Sequence, residues 1–141
     1  MNDLLEIMSK YDFPKRDMKS SFEVSDVESY SNLKLPKDYL FFLENYHGID
    51  QFIGVEFVNL WSLEEIIVAN KSYNIVIELT RTIGIGSNGS GEFIGIEIGE
   101  SDNVKVILSP FIDLNSNYNT EIGKSFTDFL IRLDNKIEWF S

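Results

Sequence analysis

The alternation of apolar and polar positions is clearest in residues 82–98. Ile83 and Ile85 alternate with small or polar residues, and isoleucine alternation resumes over residues 94–98. A period of two places each isoleucine set on one face of a strand. The glycines and asparagine of residues 87–91 tolerate the positive φ of a reversing turn. The pattern therefore predicts a β-hairpin.

A third strand is predicted at Val104–Leu108, after the turn-rich residues 99–103. Together the three strands form an antiparallel meander, whose isoleucine-rich face must be covered by helices. The opposite face carries small residues, one phenylalanine and two charged side chains: Thr82, Gly84, Gly86, Phe93, Gly95, Glu97, Lys105 and Ile107. This second face is either an exposed docking surface or the packing site of a further helix.

Three helices are predicted within residues 3–48. Asp3–Tyr11 has the apolar spacing of a short amphipathic helix. The pair Ser25 and Glu28 forms a capping box that opens a second helix. The third helix begins at Pro36 and ends at Gly48, which we expect to adopt the left-handed conformation. Its buried side is predicted from four residues at helical spacing: Tyr39, Phe42, Leu43 and Tyr46.

Two more helices are predicted from their capping residues. Ser62 and Glu65 form a capping box for a helix that ends near Asn70. Ser125 and Asp128 cap the last helix of the chain. The buried side of that last helix is predicted from its apolar residues: Phe126, Phe129, Leu130, Leu133 and Ile137.

The remaining segments complete a single-domain α+β prediction for residues 1–141. Gly54–Val58 alternates as a short strand, and Asn115–Thr120 is polar enough for a loop. Periodicity leaves Ile75–Leu79 open between a strand and the tail of the preceding helix. Helices and strands that are segregated along a chain without a linker are typical of an antiparallel sheet flanked by helices.

Composition narrows the class of partner. Of 141 residues, 12 are basic and 23 acidic, which gives a net charge of −11, and the hydrophobic fraction is 43%. Nucleic acids and anionic membranes are polyanions, so this charge disfavours both as direct partners. It favours a basic protein partner, or it serves solubility alone.

The chain contains no cysteine, so disulfides and thiolate sites are absent. Its first residues lack the basic and apolar regions of a secretory signal. An uncharged run of the roughly 20 residues that a membrane span needs is also missing. We therefore expect a soluble cytoplasmic protein.

Two motifs suggest chemistry but fail on context. Gly84, Gly86 and Gly89 match the spacing of a dinucleotide-binding loop, which must join a strand to a helix. A strand follows here instead, so the glycines are predicted to serve turn geometry. His47 is the only histidine, and its position near a helix end suggests a structural role rather than a metal or triad role.

Carboxylate pairs are the remaining catalytic candidates. Glu64 with Glu65, or Glu97 with Glu100, have the residue type that glycosidases use. Among 23 acidic residues such pairs arise by chance, and nothing in the pattern selects one. The sequence therefore predicts no catalytic residue, no metal site and no cofactor.

Several segments occur together, in a fixed order, in a known family. They are Leu35-Pro36-x-x-Tyr39, His47-Gly48, Trp61-Ser62-Leu63-Glu64-Glu65-Ile66, Ile83-Gly84-Ile85-Gly86-Ser87-Asn88-Gly89 and Ser125-Phe126-x-x-Phe129-Leu130. Over about Ser25 to Leu133 the chain resembles the SUKH superfamily, in the branch similar to the yeast cell-wall assembly regulator and to bacterial immunity proteins. His47-Gly48 departs from the Asn-Gly usual in that family. The first 20 or so residues lie outside the match, as a possible N-terminal helical extension.

This resemblance implies an α+β fold with helices flanking an antiparallel sheet. It also implies that many bacterial members neutralise toxins, often nucleases. It brings no catalytic residues to this chain. The motif residues have the character of fold determinants: Leu35, Pro36, Gly48, Trp61 and Phe126.

The leading hypothesis is an immunity protein that binds and blocks a cognate toxin domain, expected to be basic, without catalysis. Six exposed carboxylates are its predicted contact residues: Asp50, Glu56, Glu92, Glu97, Glu100 and Asp102. The alternative is a regulatory scaffold or adaptor that binds a protein of the host cell. An enzyme of unrecognised type is the third class, and it would need a deep pocket with converging carboxylates.

Overall fold

The computed structural model describes residues 2–140. Its helices are α1 (Asn2–Lys10), α2 (Val24–Ser31), α3 (Lys37–Asn45), α4 (Ile66–Tyr73), α5 (Ile75–Glu78) and α6 (Phe126–Asp134). Its strands are β1 (Ile49–Ile53), β2 (Glu56–Leu60), β3 (Thr82–Ser87), β4 (Glu92–Ile98), β5 (Val104–Pro110) and β6 (Thr120–Gly123). All strands pair antiparallel in sequence order, which confirms the predicted α+β class.

The predicted meander is the centre of this sheet. β3 and β4 form the predicted hairpin, with Ile83 opposite Ile96, and β5 pairs with β4 along its whole length. The sheet is wider than predicted, because β1 and β2 extend one edge and β6 extends the other. The β2–β3 junction is short: its register holds two pairs, Asn59–Ser87 and Leu60–Gly86.

The isoleucine-rich inner face of the sheet forms the core with α6. Ile83, Ile94 and Ile96 are fully buried. α6 contacts β1 and β6 and is flanked by α1 and α3. The predicted buried side of α6 is confirmed apart from Ile137, which is 44% exposed beyond the end of the helix. Lys136 turns the chain with a φ of 61°, so Ile137 does not continue the helical stripe.

The outer face of the sheet is covered over part of its width by α4 and α5. Both helices pack on β3, and Gly84 faces the side chains of Ile75 and Trp61. Phe93 is fully buried with its ring centroid 5.7 Å from that of Phe111, so an open docking surface built on Phe93 is wrong. The helix-covered alternative is confirmed at β3. The same face stays exposed at the β1–β2 edge, where Phe52 is 63% exposed.

Two helix ends differ from the prediction. α2 begins at Val24, with Asp26 accepting the amide of Glu23 at 2.8 Å, so the predicted box at Ser25 lies inside the first turn. α3 ends in an extended residue, Tyr46, rather than in a left-handed glycine. Gly48 is required for close approach instead, because a Cβ there would overlap the carbonyl oxygen of Leu60.

The predicted caps of the other two helices are found in whole or in part. Asp128 donates its amide to the Ser125 hydroxyl at 2.9 Å, which confirms the cap of α6. Before α4, the Glu65 carboxylate accepts the amide of Ser62 at 2.9 Å. α4 then continues past Asn70 to Tyr73.

Three segment predictions are corrected by the backbone. Gly54 has a φ of 61° and lies in a turn, so the strand predicted at Gly54–Val58 begins two residues later, at Glu56, and runs to Leu60. The strand β1, before the turn, was not predicted. The ambiguous segment after α4 is helical, as α5, and left-handed Asn74 separates it from α4. The predicted loop Asn115–Thr120 contains a 3₁₀ turn at Ser116–Tyr118 and the start of β6.

Candidate functional site

An open groove of about 510 Å³ lies between α4 and the exposed part of the outer sheet face. We call it the outer groove. Asn59 and Ser87 contribute its sheet side, and Phe111 approaches from the segment after β5. Its nine lining residues are Asn59, Trp61, Glu64, Glu65, Val68, Ala69, Tyr73, Ser87 and Phe111. The groove therefore combines residues from three separate parts of the chain.

A buried asparagine holds α4 against the sheet. Asn70 is fully buried, and its Oδ1 accepts the amide of Gly84 at 2.7 Å. Its Nδ2 donates to the carbonyls of Gly84 and Ile66, each at 2.8 Å. The side chain thus pairs with both backbone groups of one β3 residue, which fixes the helical wall of the outer groove.

Aromatic contacts hold Phe111 opposite α4. Its ring centroid lies 4.1 Å from that of Tyr73, at the end of α4, and 5.7 Å from that of the buried Phe93. Such pairs contribute about 0.5–1.5 kcal/mol beyond the area they bury. On the helix, Val68 is 62% and Tyr73 46% exposed. The outer groove consequently presents apolar surface that the described fold leaves uncovered.

The apolar surface continues toward the sheet edge. Phe52 and Phe57 are cross-strand partners on β1 and β2, with their rings 5.5 Å apart. By alternation they share the outer face with Asp50 and Asn59, which also pair across the strands. The outer groove and the β1–β2 edge therefore form one continuous face.

Three carboxylates border this face. Glu64 receives two hydrogen bonds from the Arg16 guanidinium, at 2.8 and 2.9 Å. One oxygen of Glu65 accepts the backbone amide of Ser62, and one oxygen of Asp50 accepts the side-chain amide of Asn59 at 3.3 Å. A carboxylate accepts more than one hydrogen bond, so Glu65 and Asp50 keep acceptor capacity toward a partner.

The Arg16–Glu64 pair makes stability depend on pH. Hydrogen bonding from Arg16, opposed by desolvation, lowers the pKa of Glu64 from 4.5 to about 2. A carboxyl whose pKa is lowered on folding stabilises the fold above pH 4.5, and that contribution is lost as pH falls toward 2. Water screens the pair because the Glu64 side chain is 40% exposed, so we expect about 1 kcal/mol at neutral pH.

Glu64→Gln is therefore expected to lower the free energy of unfolding by about 1 kcal/mol at pH 7. The difference from the unsubstituted protein should vanish as pH falls from 4.5 to about 2. Urea unfolding across this pH range measures it, and Glu100→Gln, at an exposed turn carboxylate, is the control. A difference that stays constant with pH would contradict this assignment.

The six carboxylates predicted as contacts are not brought together. Asp50 lies on the outer face beside the groove. Glu56 accepts the amide of Trp139 at 2.8 Å, near the end of the chain. Glu92 accepts the side-chain amide of Asn88 at 2.7 Å, within the β3–β4 turn.

The other three carboxylates lie around the β4–β5 turn. Glu97 and Glu100 line a second depression of about 470 Å³. Asp102 lies 3.4 Å from Arg81, which also lines that depression. The positive Arg81 side chain and the mixed lining distinguish this end of the sheet from the outer groove.

The sequence reasoning missed the apolar part of the candidate site. Trp61 is among the residues that the sequence analysis interprets as fold determinants, and neither Val68 nor Tyr73 was predicted as part of a site. A signal was present in the run Ile66-Ile67-Val68-Ala69, which places apolar side chains on more than one face of α4. One helical face cannot bury such a run, so part of it must contact a partner or solvent.

Neither the glycine motif nor His47 has the structural context that its suggested chemistry needs. Gly84 and Gly86 lie within β3, and the turn after them leads into β4, so the dinucleotide motif lacks its helix. His47 is 3.6 Å from the Asp17 carboxylate, and both side chains are exposed. Among residues 2–140, no cluster of three or more metal-ligating side chains occurs.

The carboxylate pairs have structural partners. Glu64 is bound to Arg16, and Glu65 caps the start of α4. Glu97 accepts a hydrogen bond from the side chain of Asn119 at 3.4 Å. Glu97 and Glu100 both line the depression at the β4–β5 turn, and Glu64 and Glu65 both line the open outer groove.

Comparison with known families identifies the fold. The model of the family described as SMI1/KNR4 (SUKH-1) matches residues 20–132, which confirms the predicted SUKH membership. The matched range contains the whole outer groove and leaves α1 outside. No curated protein matches the chain. Within the described part, no helix has the length and apolar character needed to cross a membrane.

Proposed function

The chain belongs to the SMI1/KNR4 family (SUKH-1), and on that premise we propose that it is an immunity protein. In this role it binds and neutralises a cognate bacterial toxin domain, in the cytoplasm and without catalysis. Family membership is the observation that carries the proposal, because neutralisation of toxins is the role that the SUKH resemblance implies for many bacterial members. SUKH proteins are generally non-catalytic and act through protein–protein contacts.

Charge supports a basic toxin as the partner. The net charge of −11 repels nucleic acid but accelerates encounter with a positive protein surface. Nucleases carry such a surface, because their substrate grooves must attract phosphates. An acidic protein that covers such a groove prevents substrate from entering without any chemistry of its own.

Co-expression with the C-terminal domain encoded by the adjacent gene, where this proposal expects the toxin, tests the proposal. We expect cells that carry both proteins to grow, cells that carry the toxin domain alone to stop growing, and the purified pair to form a stable complex. A toxin domain that still kills in the presence of this chain, and fails to bind it, would contradict the proposal.

A regulatory adaptor is the second candidate. The matched family is described as SMI1/KNR4, and the sequence resembles the branch that is similar to the yeast cell-wall assembly regulator. This role predicts a partner from the same cell rather than a toxin. Affinity capture with the tagged chain separates the two. Enrichment of one host protein, together with no protection against the toxin, would favour the adaptor.

A further inference from the structure

We infer that the outer groove is the surface that receives a basic segment of the partner, with a lysine or arginine side chain seated between Val68, Tyr73 and Glu65. This inference rests on the proposed function and names the surface that performs it. It concerns a single patch, defined above by its lining residues, rather than the acidic surface as a whole.

The outer groove exposes apolar side chains that the described fold does not cover. Val68 and Tyr73 remain 62% and 46% exposed, although both lie on a helix that packs against the sheet. Nearby, Phe52 is 63% exposed on the same sheet face. Grouped exposed apolar side chains with a polar rim are typical of protein–protein binding sites.

The lining of the outer groove is negatively charged. The residues that line the outer groove include Glu64 and Glu65, and none of the described lining residues is basic. Arg16 reaches Glu64 with a side chain that is itself only 7% exposed, so its charge is committed to that pair. Glu65 and Asp50 are left as exposed negative groups at the rim, and they favour a cationic partner.

Apolar walls with a carboxylate at the rim match the two parts of a long basic side chain. The methylene stem of lysine or arginine packs on apolar and aromatic surface while its charged head stays near solvent. Tyr73 and Phe111 offer ring faces for a cation, and Glu65 offers a free oxygen for a charge-assisted hydrogen bond. A basic segment therefore fits better than an acidic or a purely apolar one.

The test is the affinity of the neighbouring-gene toxin domain for variants of this chain, measured by calorimetry. Val68→Lys places a positive charge in the outer groove at an exposed helical position. We expect it to weaken binding by at least about 30-fold, since it combines like-charge repulsion with loss of an apolar contact. Glu65→Gln keeps an oxygen for the Ser62 amide and is expected to weaken binding by about fivefold.

Ile77→Lys is the matched control. It makes a comparable change, from an exposed β-branched residue to lysine, at a site on α5 that is 76% exposed and does not line the groove. It should change the affinity by less than about threefold, through long-range charge alone. Circular dichroism of each variant confirms that the fold is retained.

The outcomes separate the two claims. If the unsubstituted chain binds the toxin domain but Val68→Lys binds as tightly as Ile77→Lys, the groove assignment is overturned and the proposed function stands. If the unsubstituted chain does not bind the toxin domain at all, both the groove assignment and the proposed function are contradicted. If sedimentation shows a dimer that Val68→Lys dissociates, the groove holds a second copy of this chain and the assignment to a basic partner is wrong.

Discussion

Asn70→Leu is expected to lower the free energy of unfolding by about 3 kcal/mol. Leucine has a similar size, so the loss is not mainly one of packing. The substitution leaves the amide and carbonyl of Gly84 without the partners that Asn70 supplies at 2.7 and 2.8 Å. Each unpaired buried polar group costs about 1–3 kcal/mol, because water cannot replace the lost hydrogen bond.

Urea unfolding followed by circular dichroism measures this loss, and Asn45→Leu provides the matched control. The Asn45 side chain makes one exposed hydrogen bond, to the Phe41 carbonyl at 2.9 Å, so we expect less than about 0.5 kcal/mol there. An equal loss in the two variants would show that Asn70 does not hold α4 on β3 in the way the structure indicates.

Gly86→Ala is expected to be at least as damaging, with a loss of about 3 kcal/mol or more. A Cβ at this position would overlap the carbonyl oxygen of Asn59 and would lie 3.0 Å from the Leu60 Cα. Both are backbone atoms of β2, so a side-chain rotation cannot relieve the contact. Since β2 and β3 share only two register pairs, the strands must separate there.

Gly84→Ala distinguishes this backbone clash from a general intolerance of alanine in β3. Its Cβ would meet the tip of the Ile75 side chain at 2.7 Å, the Trp61 ring at 3.1 Å and the Asn70 Oδ1 at 3.3 Å. All three are side-chain atoms, which shift at lower cost than the backbone of a paired strand. We therefore expect a smaller loss, of about 1 kcal/mol, in thermal or urea unfolding. If Gly84→Ala proves the more damaging of the two, the close β2–β3 approach at Gly86 is not the controlling contact.

The centre of the fold could be predicted from sequence because its signals are local. Alternating isoleucines around a glycine-rich turn specify the β3–β4 hairpin, and Ser125 with Asp128 specifies the start of α6. Each of these signals depends on residues close together in the chain.

The errors arose where distant contacts decide the conformation. Gly48 is a residue type common at helix C-termini, but glycine is needed there because the Leu60 carbonyl on β2 leaves no space for a Cβ. β1 was missed because Ile49–Ile53 carries a glutamine and an aspartate, which obscure its alternation. Ile137 continued a helical stripe in the sequence, although the chain turns at Lys136.

The sequence predicts the chemistry of a partner but not the position of the candidate site. Both the basic partner that the net charge favours and the six predicted contact carboxylates remain predictions without a test. Only Asp50 among them lies beside the outer groove. The walls of the outer groove depend on the Asn70–Gly84 hydrogen bonds and on the Tyr73–Phe111 contact, and both join residues that are far apart in the sequence. The apolar run at residues 66–69 signals exposed apolar surface on α4, but no local pattern places Phe111 or β3 beside that surface.

The affinity of the toxin domain for this chain at two salt concentrations tests the central claim most directly. If an acidic surface captures a basic partner, Kd should rise by about tenfold or more between about 50 mM and about 500 mM NaCl, mainly through slower association. The complex should hold one molecule of each protein. A Kd that does not change with salt, or the absence of a complex at either concentration, would contradict electrostatic neutralisation of a basic toxin.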